Sequence, residues 1–133
     1  MPTADARLPT VLLVEDDPAA LRFYAEALAA SGFRVEQASN GAEALRAAEA
    51  DGIAVIVADL GLPDFDGFEV CRQVKLRPWM RQVPVIAITG RAMALRDIEL
   101  AEEVGFHSVL IKPCPPETLA AAIVKALNGS RAA

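Results

Sequence analysis

The sequence is poor in cysteine, has no cluster of basic residues and contains no long apolar run. Its two cysteines, Cys71 and Cys114, are far apart and in no spacing typical of a metal site, so we expect unpaired thiols in a reducing compartment. The net charge of −5 argues against direct binding to nucleic acid, because phosphate contacts need a positive patch. The start, MPTADARLPT, has no apolar core, and no run approaches the roughly 20 residues that span a bilayer. We therefore expect a cytoplasmic protein with no membrane partner.

The length and composition favour one globular domain. The chain has 133 residues, of which 53% are hydrophobic and 23% charged, so it can bury a core without disulfides. We expect the domain to span residues 10–128, with an N-terminal extension at 1–9 and a C-terminal tail at 129–133.

Short β-rich segments alternate with helical patterns. The predicted strands are 10–15, 33–38, 53–59, 83–89 and 108–112, and the predicted helices are 18–30, 41–50, 67–76, 94–105 and 116–128. Five strand–helix units in this order predict an α/β fold, with a parallel sheet covered by helices on both faces.

Several polar residues have the positions of helix caps or turns. Asp17 precedes Pro18 and is expected to cap the first helix. Asn40-Gly41 is a hairpin signal, but the following Ala-, Glu- and Leu-rich segment favours a helix capped by Asn40, with Glu43 as the reciprocal acid. By the same spacing Asp66 is expected to cap the third helix with Glu69, and Asp64, after Pro63, is expected in a turn.

The polar residues that could take part in a reaction all lie at the ends of predicted strands. Because carboxyl ends of parallel strands share one edge of a sheet, we expect these groups to meet there. Grouped carboxylates repel unless a cation intervenes, and oxygen ligands with open positions suit Mg²⁺. A lysine ammonium and a threonine hydroxyl can hold a phosphoryl oxygen, and an aspartate can act as a nucleophile. The pattern predicts phosphoryl transfer onto a carboxylate. The residues at the strand ends that form it are Glu15-Asp16-Asp17, Asp59, Thr89-Gly90 and Lys112-Pro113.

The chain resembles the receiver domains of two-component signalling, which have the fold of the single-domain chemotaxis response regulator. The resemblance rests on four segments in the family's order: VLLVEDDP, VIVADLGLPDFDG, VIAITG and LIKP. The resemblance covers residues 10–128 and implies a flavodoxin-like, doubly wound (βα)5 sheet with strand order 2-1-3-4-5.

The resemblance also implies a role for each matching residue. Asp59 corresponds to the phosphoryl acceptor, and Pro113 follows a peptide bond that is usually cis. The implied Mg²⁺ site comprises Glu15, Asp16, Asp59 and the backbone carbonyl of Gly61. The implied phosphate-binding and switch positions are Thr89, Gly90 and Lys112.

A sensor histidine kinase or a phosphotransfer protein would then supply the phosphoryl group. The face of helix 4, strand 5 and helix 5 would change and regulate an effector protein, and the acyl phosphate would later hydrolyse on the same domain. A homodimer through this face is a further arrangement that the resemblance allows.

Three positions depart from the pattern or stand outside it. The family usually has an aromatic residue three positions before the lysine, where this chain has Val109, so either the output face is altered or the valine is a tolerated apolar substitution. His107, the only histidine, is expected at the surface. Gly61 lies two residues after Asp59, and Arg91 lies two residues after Thr89. In the family, residues at these two positions tune the lifetime of the phosphate.

Two other functions use the same residues. A magnesium-dependent phosphohydrolase acting through an aspartyl phosphate would need a second acid two residues after Asp59, where this chain has Gly61. A non-phosphorylated interaction module on the same fold usually lacks the acids or the lysine, and this chain retains both. Trp79 is either a partner contact or a loop-packing residue.

Overall fold

The computed structural model describes residues 8–50, 52–62, 64, 67–90 and 95–131. Its strands are β1 (Thr10–Val14), β2 (Arg34–Ala38), β3 (Ile53–Asp59), β4 (Val85–Thr89) and β5 (Ser108–Ile111). They form one parallel sheet in the order β2-β1-β3-β4-β5, which confirms the predicted fold class.

The helices are α1 (Pro18–Ala30), α2 (Gly41–Ala47), α3 (Gly67–Lys75), α4 (Leu95–Val104) and α5 (Pro116–Arg131), with a short 3₁₀ helix at Pro78–Met80. α5 runs three residues beyond its predicted end, so residues 129–131 of the expected tail are helical. Once a helix has formed, each added residue gains a backbone hydrogen bond, and no proline interrupts this segment. No helix in the described ranges is both long and apolar enough to cross a bilayer.

β4 begins two residues later than predicted, for a local reason. Pro84 lacks the backbone N–H that a central strand donates. The carbonyl of Val83 instead accepts a hydrogen bond from Lys75 Nζ at 2.6 Å. The Pro84 carbonyl still accepts from the Ile56 amide at 3.0 Å, but the regular strand begins only at Val85.

The predicted caps of α1 and α2 are confirmed. Asp17 Oδ2 accepts from the Ala20 amide at 3.1 Å, and Asn40 Oδ1 accepts from the Glu43 amide at 2.8 Å. Glu43 Oε1 in turn accepts from the amide of Ser39 at 2.8 Å, one residue before the cap. Asn40-Gly41 therefore starts a helix. The cap predicted at Asp66 lies outside the described residues.

The core consists of an apolar layer on each face of the sheet. Side chains of β1 alternate between the layers, with Val11 and Leu13 on one side and Leu12 and Val14 on the other. α1 and α5 cover the first layer, and α2 and α3 cover the second. With both faces buried, the functional groups are left to the loops beyond the strand ends.

Candidate functional site

Two acidic residues lie side by side where the strand order reverses. β1 and β3 are neighbours, and their register pairs Val14 with Ala58. Glu15 and Asp59, the next residue on each strand, therefore leave the sheet together. Both are buried, at 2% and 8% exposure. In an open α/β sheet this is the position where ligands bind.

Asp16, which is exposed, completes a cluster with them. One carboxylate oxygen from each of Glu15, Asp16 and Asp59 lies within 4.8 Å of the other two. Three carboxylate oxygens, of which the one on Asp16 belongs to an exposed side chain, are a ligand set that Mg²⁺ accepts, since it combines a few carboxylates with waters. The donors present therefore fit this ion.

Lys112 lies against the buried pair. Thr89 pairs with Ile111, and the Lys112 amide donates to the Thr89 carbonyl at 2.8 Å, which places the lysine at the end of β5. Its Nζ donates to Asp59 Oδ2 at 2.9 Å and to Glu15 Oε1 at 2.5 Å. One ammonium thus neutralises part of the charge of two adjacent carboxylates.

The ionisation of the cluster reflects this arrangement. Burial raises the pKa of Glu15, although hydrogen bonds from Lys112 and the Asp17 amide act against the rise. Burial alone would lower the pKa of Lys112, but its hydrogen bonds to Glu15 and Asp59, together with their charges, raise it above the ordinary value. The lysine is therefore charged at neutral pH.

Gly61 and Gly90 lie beside the reactive groups. The Gly61 amide donates to Asp59 Oδ1 at 2.8 Å, so both oxygens of Asp59 accept hydrogen bonds. A Cβ on Gly90 would lie 4.0 Å from the Lys112 side chain, an ordinary contact, so Gly90 borders the lysine. Thr89 is buried at the end of β4. The Lys112–Pro113 peptide bond is cis.

The importance of Gly67 was missed from the sequence. A Cβ at this position would lie 2.6 Å from the Asp59 carbonyl oxygen, closer than side chains approach. The Gly67 amide also donates to the Leu60 carbonyl at 3.1 Å. The start of α3 therefore packs directly on the backbone of Asp59, and only glycine leaves room for this contact.

Asp64 also does more than the predicted turn would require. Its Oδ1 accepts from the Gly41 amide at 2.8 Å, and its Oδ2 accepts from the Ala42 amide at 2.9 Å. The carboxylate thus holds the loop after β3 to the first turn of α2. The two ends of this contact are over 20 positions apart in sequence, so no local pattern indicates it.

The remaining candidates lie away from the cluster. Val109 is half-buried against Leu60, Phe68 and other apolar side chains, and His107 is exposed. Trp79 is 49% exposed, and its Nε1 donates to the Ala48 carbonyl at 2.9 Å. Arg91 lies outside the described residues.

Comparison with known proteins gives a consistent result. Residues 11–124 match the family model described as the response regulator receiver domain. The transcriptional regulatory protein GlrR of Escherichia coli is 33% identical over 121 residues, which cover 90% of this chain and 26% of GlrR. The chain thus spans about a quarter of that relative's length.

Two solved structures share the fold. A CheY-like receiver domain protein from Methanospirillum hungatei has a TM-score of 0.85 and 30% identity, with 93% of this chain and 97% of that chain covered. The receiver domain of a sensor histidine kinase from Pseudomonas aeruginosa has a TM-score of 0.83 and 30% identity, with 91% and 98% covered. The latter is described with a magnesium ion coordinated in its active site cleft.

Proposed function

The chain belongs to the response regulator receiver domain family of two-component systems, and we propose that it is a signalling switch that accepts a phosphoryl group on Asp59. Receiver domains are regulatory, so the proposed chemistry is confined to gain and loss of the domain's own phosphoryl group. The domain that we assign to this role is residues 10–128.

The observation that carries the proposal is the joint placement of three carboxylates and one lysine. Oxygens of Glu15, Asp16 and Asp59 lie within 4.8 Å of one another, and Lys112 Nζ is 2.9 Å from Asp59 Oδ2. A cluster of this kind neutralises the charge that develops when a phosphoryl group approaches a carboxylate. Glu15, Asp16, Asp59 and the Gly61 carbonyl would hold Mg²⁺, which would supply charge neutralisation for the phosphoryl oxygens.

Asp59, Lys112 and Thr89 would each have a separate role in the transfer. A carboxylate oxygen of Asp59 attacks phosphorus, and the bond from phosphorus to the donor breaks with its electron pair leaving on the donor. We propose that the donor is a phosphohistidine of a sensor kinase or of a phosphotransfer protein. Lys112 would move from the carboxylate to a phosphoryl oxygen, and the Thr89 hydroxyl would donate to another.

The same contacts would pass the phosphorylation state on to an effector protein. Thr89 and Lys112 end the strands that flank α4 and α5, so contacts to phosphate favour one of two arrangements of the α4–β5–α5 face. An effector protein that binds this face in only one arrangement would read the phosphorylation state, and a homodimer through the face would do the same. The acyl phosphate would be lost by attack of water at phosphorus.

Labelling with a small phosphodonor tests the proposal. Wild type incubated with phosphoramidate and Mg²⁺ should gain one phosphoryl group by intact mass, and chelation of Mg²⁺ should abolish the gain. Asp59→Asn should remain unmodified, whereas Glu36→Gln, which removes an exposed carboxylate of β2, should label like wild type. Equal labelling of Asp59→Asn and wild type would contradict the proposal.

A further inference from the structure

Tyr24, the only tyrosine, joins α1 to the loop that follows Lys112. Its hydroxyl donates to the Cys114 carbonyl at 2.9 Å. The two residues are 90 positions apart in sequence, so this bond connects the first helix to the last loop before α5. None of the four motifs contains Tyr24, and nothing in the proposed phosphoryl transfer uses it.

The bond lies in a dry environment. Tyr24 is 7% exposed and Cys114 is 6% exposed, and both belong to the apolar layer that α1 and α5 cover. Water cannot easily replace a lost donor in such a layer, so the carbonyl depends on the tyrosine hydroxyl. Burial also raises the pKa of Tyr24, which keeps the phenol protonated and able to donate.

The tether acts on the segment that carries the lysine. On one side, the Lys112 amide is held by the Thr89 carbonyl at 2.8 Å. On the other side, two residues later, the Cys114 carbonyl is held by Tyr24. The backbone of Lys112 is therefore fixed from both directions, once by the sheet and once by α1.

The same helix lies on the acidic side of the site. Asp17 caps α1, and the Asp17 amide donates to Glu15 Oε2 at 3.1 Å. Tyr24 thus connects the helix that begins beside Glu15 and Asp16 to the loop that positions the ammonium. A displacement of the Lys112 backbone relative to the carboxylates would have to break or bend this bond, whereas the flexible side chain can still move its ammonium.

We propose that the Tyr24 hydroxyl is a positioning group for Lys112, which holds the lysine backbone where the ammonium can reach both Asp59 and the phosphoryl group that it accepts. The rate consequence rests on the function proposed above, whereas the tether itself does not. The alternative is that Tyr24 only packs in the core, in which case its hydroxyl would affect stability and leave the lysine unaffected.

A double-mutant cycle separates these two roles, with the rate constant of phosphoramidate labelling at saturating Mg²⁺ as the readout. Tyr24→Phe should slow labelling about 3- to 10-fold, because small misplacements of a catalytic group are costly. In a Lys112→Ala background the same change should have less than about a twofold effect, because the group being positioned is gone. An equal slowing in both backgrounds would overturn the proposal, as would a Tyr24→Phe rate equal to wild type.

Trp79→Phe is the matched control. It removes one ring N–H donor to a backbone carbonyl, in the 3₁₀ helix before β4 and away from the cluster. It should leave the labelling rate unchanged. A slowing equal to that of Tyr24→Phe would show that loss of stability alone explains the effect and would overturn the proposal.

A second measurement needs neither phosphoramidate labelling nor removal of the Tyr24 hydroxyl. Because the chain has one tyrosine, 3-fluorotyrosine gives a single ¹⁹F resonance from this site. Lys112→Ala should shift that resonance more than Lys125→Ala, which removes an exposed lysine of α5. An unchanged resonance would overturn the tether. If no variant is labelled while the resonance shifts, the proposed function fails and the positioning contact stands.

Discussion

The start of α3 packs against the backbone of the candidate phosphoryl acceptor: a Cβ at Gly67 would lie 2.6 Å from the carbonyl oxygen of Asp59. Neither residue can move away freely, since the Gly67 amide is bonded to Leu60 and Asp59 ends a buried strand. Gly67→Ala should therefore force β3 and α3 apart and lower the free energy of unfolding by about 1–3 kcal/mol. Chemical denaturation measures this quantity.

Gly61→Ala provides the comparison. A Cβ there would lie 3.7 Å from Asp59 Oδ1, an ordinary contact, so stability should change by less than about 1 kcal/mol. Equal losses in the two variants would show that the close approach at Gly67 is not the cause.

Lys112 neutralises a cluster that would otherwise repel itself. Lys112→Ala leaves Glu15 and Asp59 adjacent without their shared ammonium, so the cluster should attract a divalent cation more strongly. We expect the Kd for Mg²⁺ to fall about 3- to 10-fold, while phosphoramidate labelling slows by more than about tenfold. Titration by NMR or by the fluorescence of Trp79 measures the first, and intact mass measures the second.

Lys125→Ala is the control for net charge, because it removes an exposed lysine of α5. Its Mg²⁺ affinity should match that of wild type. An unchanged or weaker affinity in Lys112→Ala would contradict the electrostatic role of this lysine.

Asp64 stabilises α2 from another loop. Asp64→Ala removes acceptors for the Gly41 and Ala42 amides and a negative charge near the helix N-terminus, so we expect a loss of about 0.5–2 kcal/mol. Thermal or urea unfolding tests this, with Glu36→Ala as a control of equal charge change. Hydrogen exchange should increase at the first turn of α2, and protection there equal to wild type would contradict the assignment.

Cys71 predicts a pH dependence of stability. Burial raises the pKa of this thiol from 9.0 to about 11. The unfolded chain therefore loses the proton first, and the stabilisation is complete below about pH 9 and is lost as the pH rises through about 11. A shift of about two pKa units makes this component roughly 2–3 kcal/mol.

Cys71→Ala isolates this component. Its free energy of unfolding should lack the part of the decline between about pH 9 and 11 that Cys71 causes, so the difference between wild type and variant should shrink across that window. A difference that stays constant would show that the thiol does not titrate as described.

The sequence predicted the sheet and the groups at its edge because both depend on local signals. Apolar runs that stop at Glu15, Asp59, Thr89 and Lys112 mark strand ends, and parallel topology then brings these ends together. The same local reasoning found the caps at Asp17 and Asn40, whose partners lie three residues away.

The contacts that were missed join distant segments. Asp64 binds α2, Gly67 packs against the backbone of Asp59, and Tyr24 bonds to Cys114. None of these pairs produces a periodic pattern in one sequence, because each forms only after the sheet has brought its helices together. The late start of β4 has a different cause, since Pro84 cannot donate a hydrogen bond to the sheet although the apolar pattern of 83–89 continues through it.

Locating the modified atom tests the central claim most directly. Wild type labelled with phosphoramidate and Mg²⁺ is treated with borohydride, which reduces an acyl phosphate to an alcohol and so converts the modified aspartate to homoserine. Peptide sequencing by mass spectrometry should find homoserine in place of Asp59 and unchanged carboxylates at Asp16, Asp17 and Asp64. Homoserine at any of those three positions, or none at position 59 in labelled protein, would contradict the assignment of Asp59 as the phosphoryl acceptor.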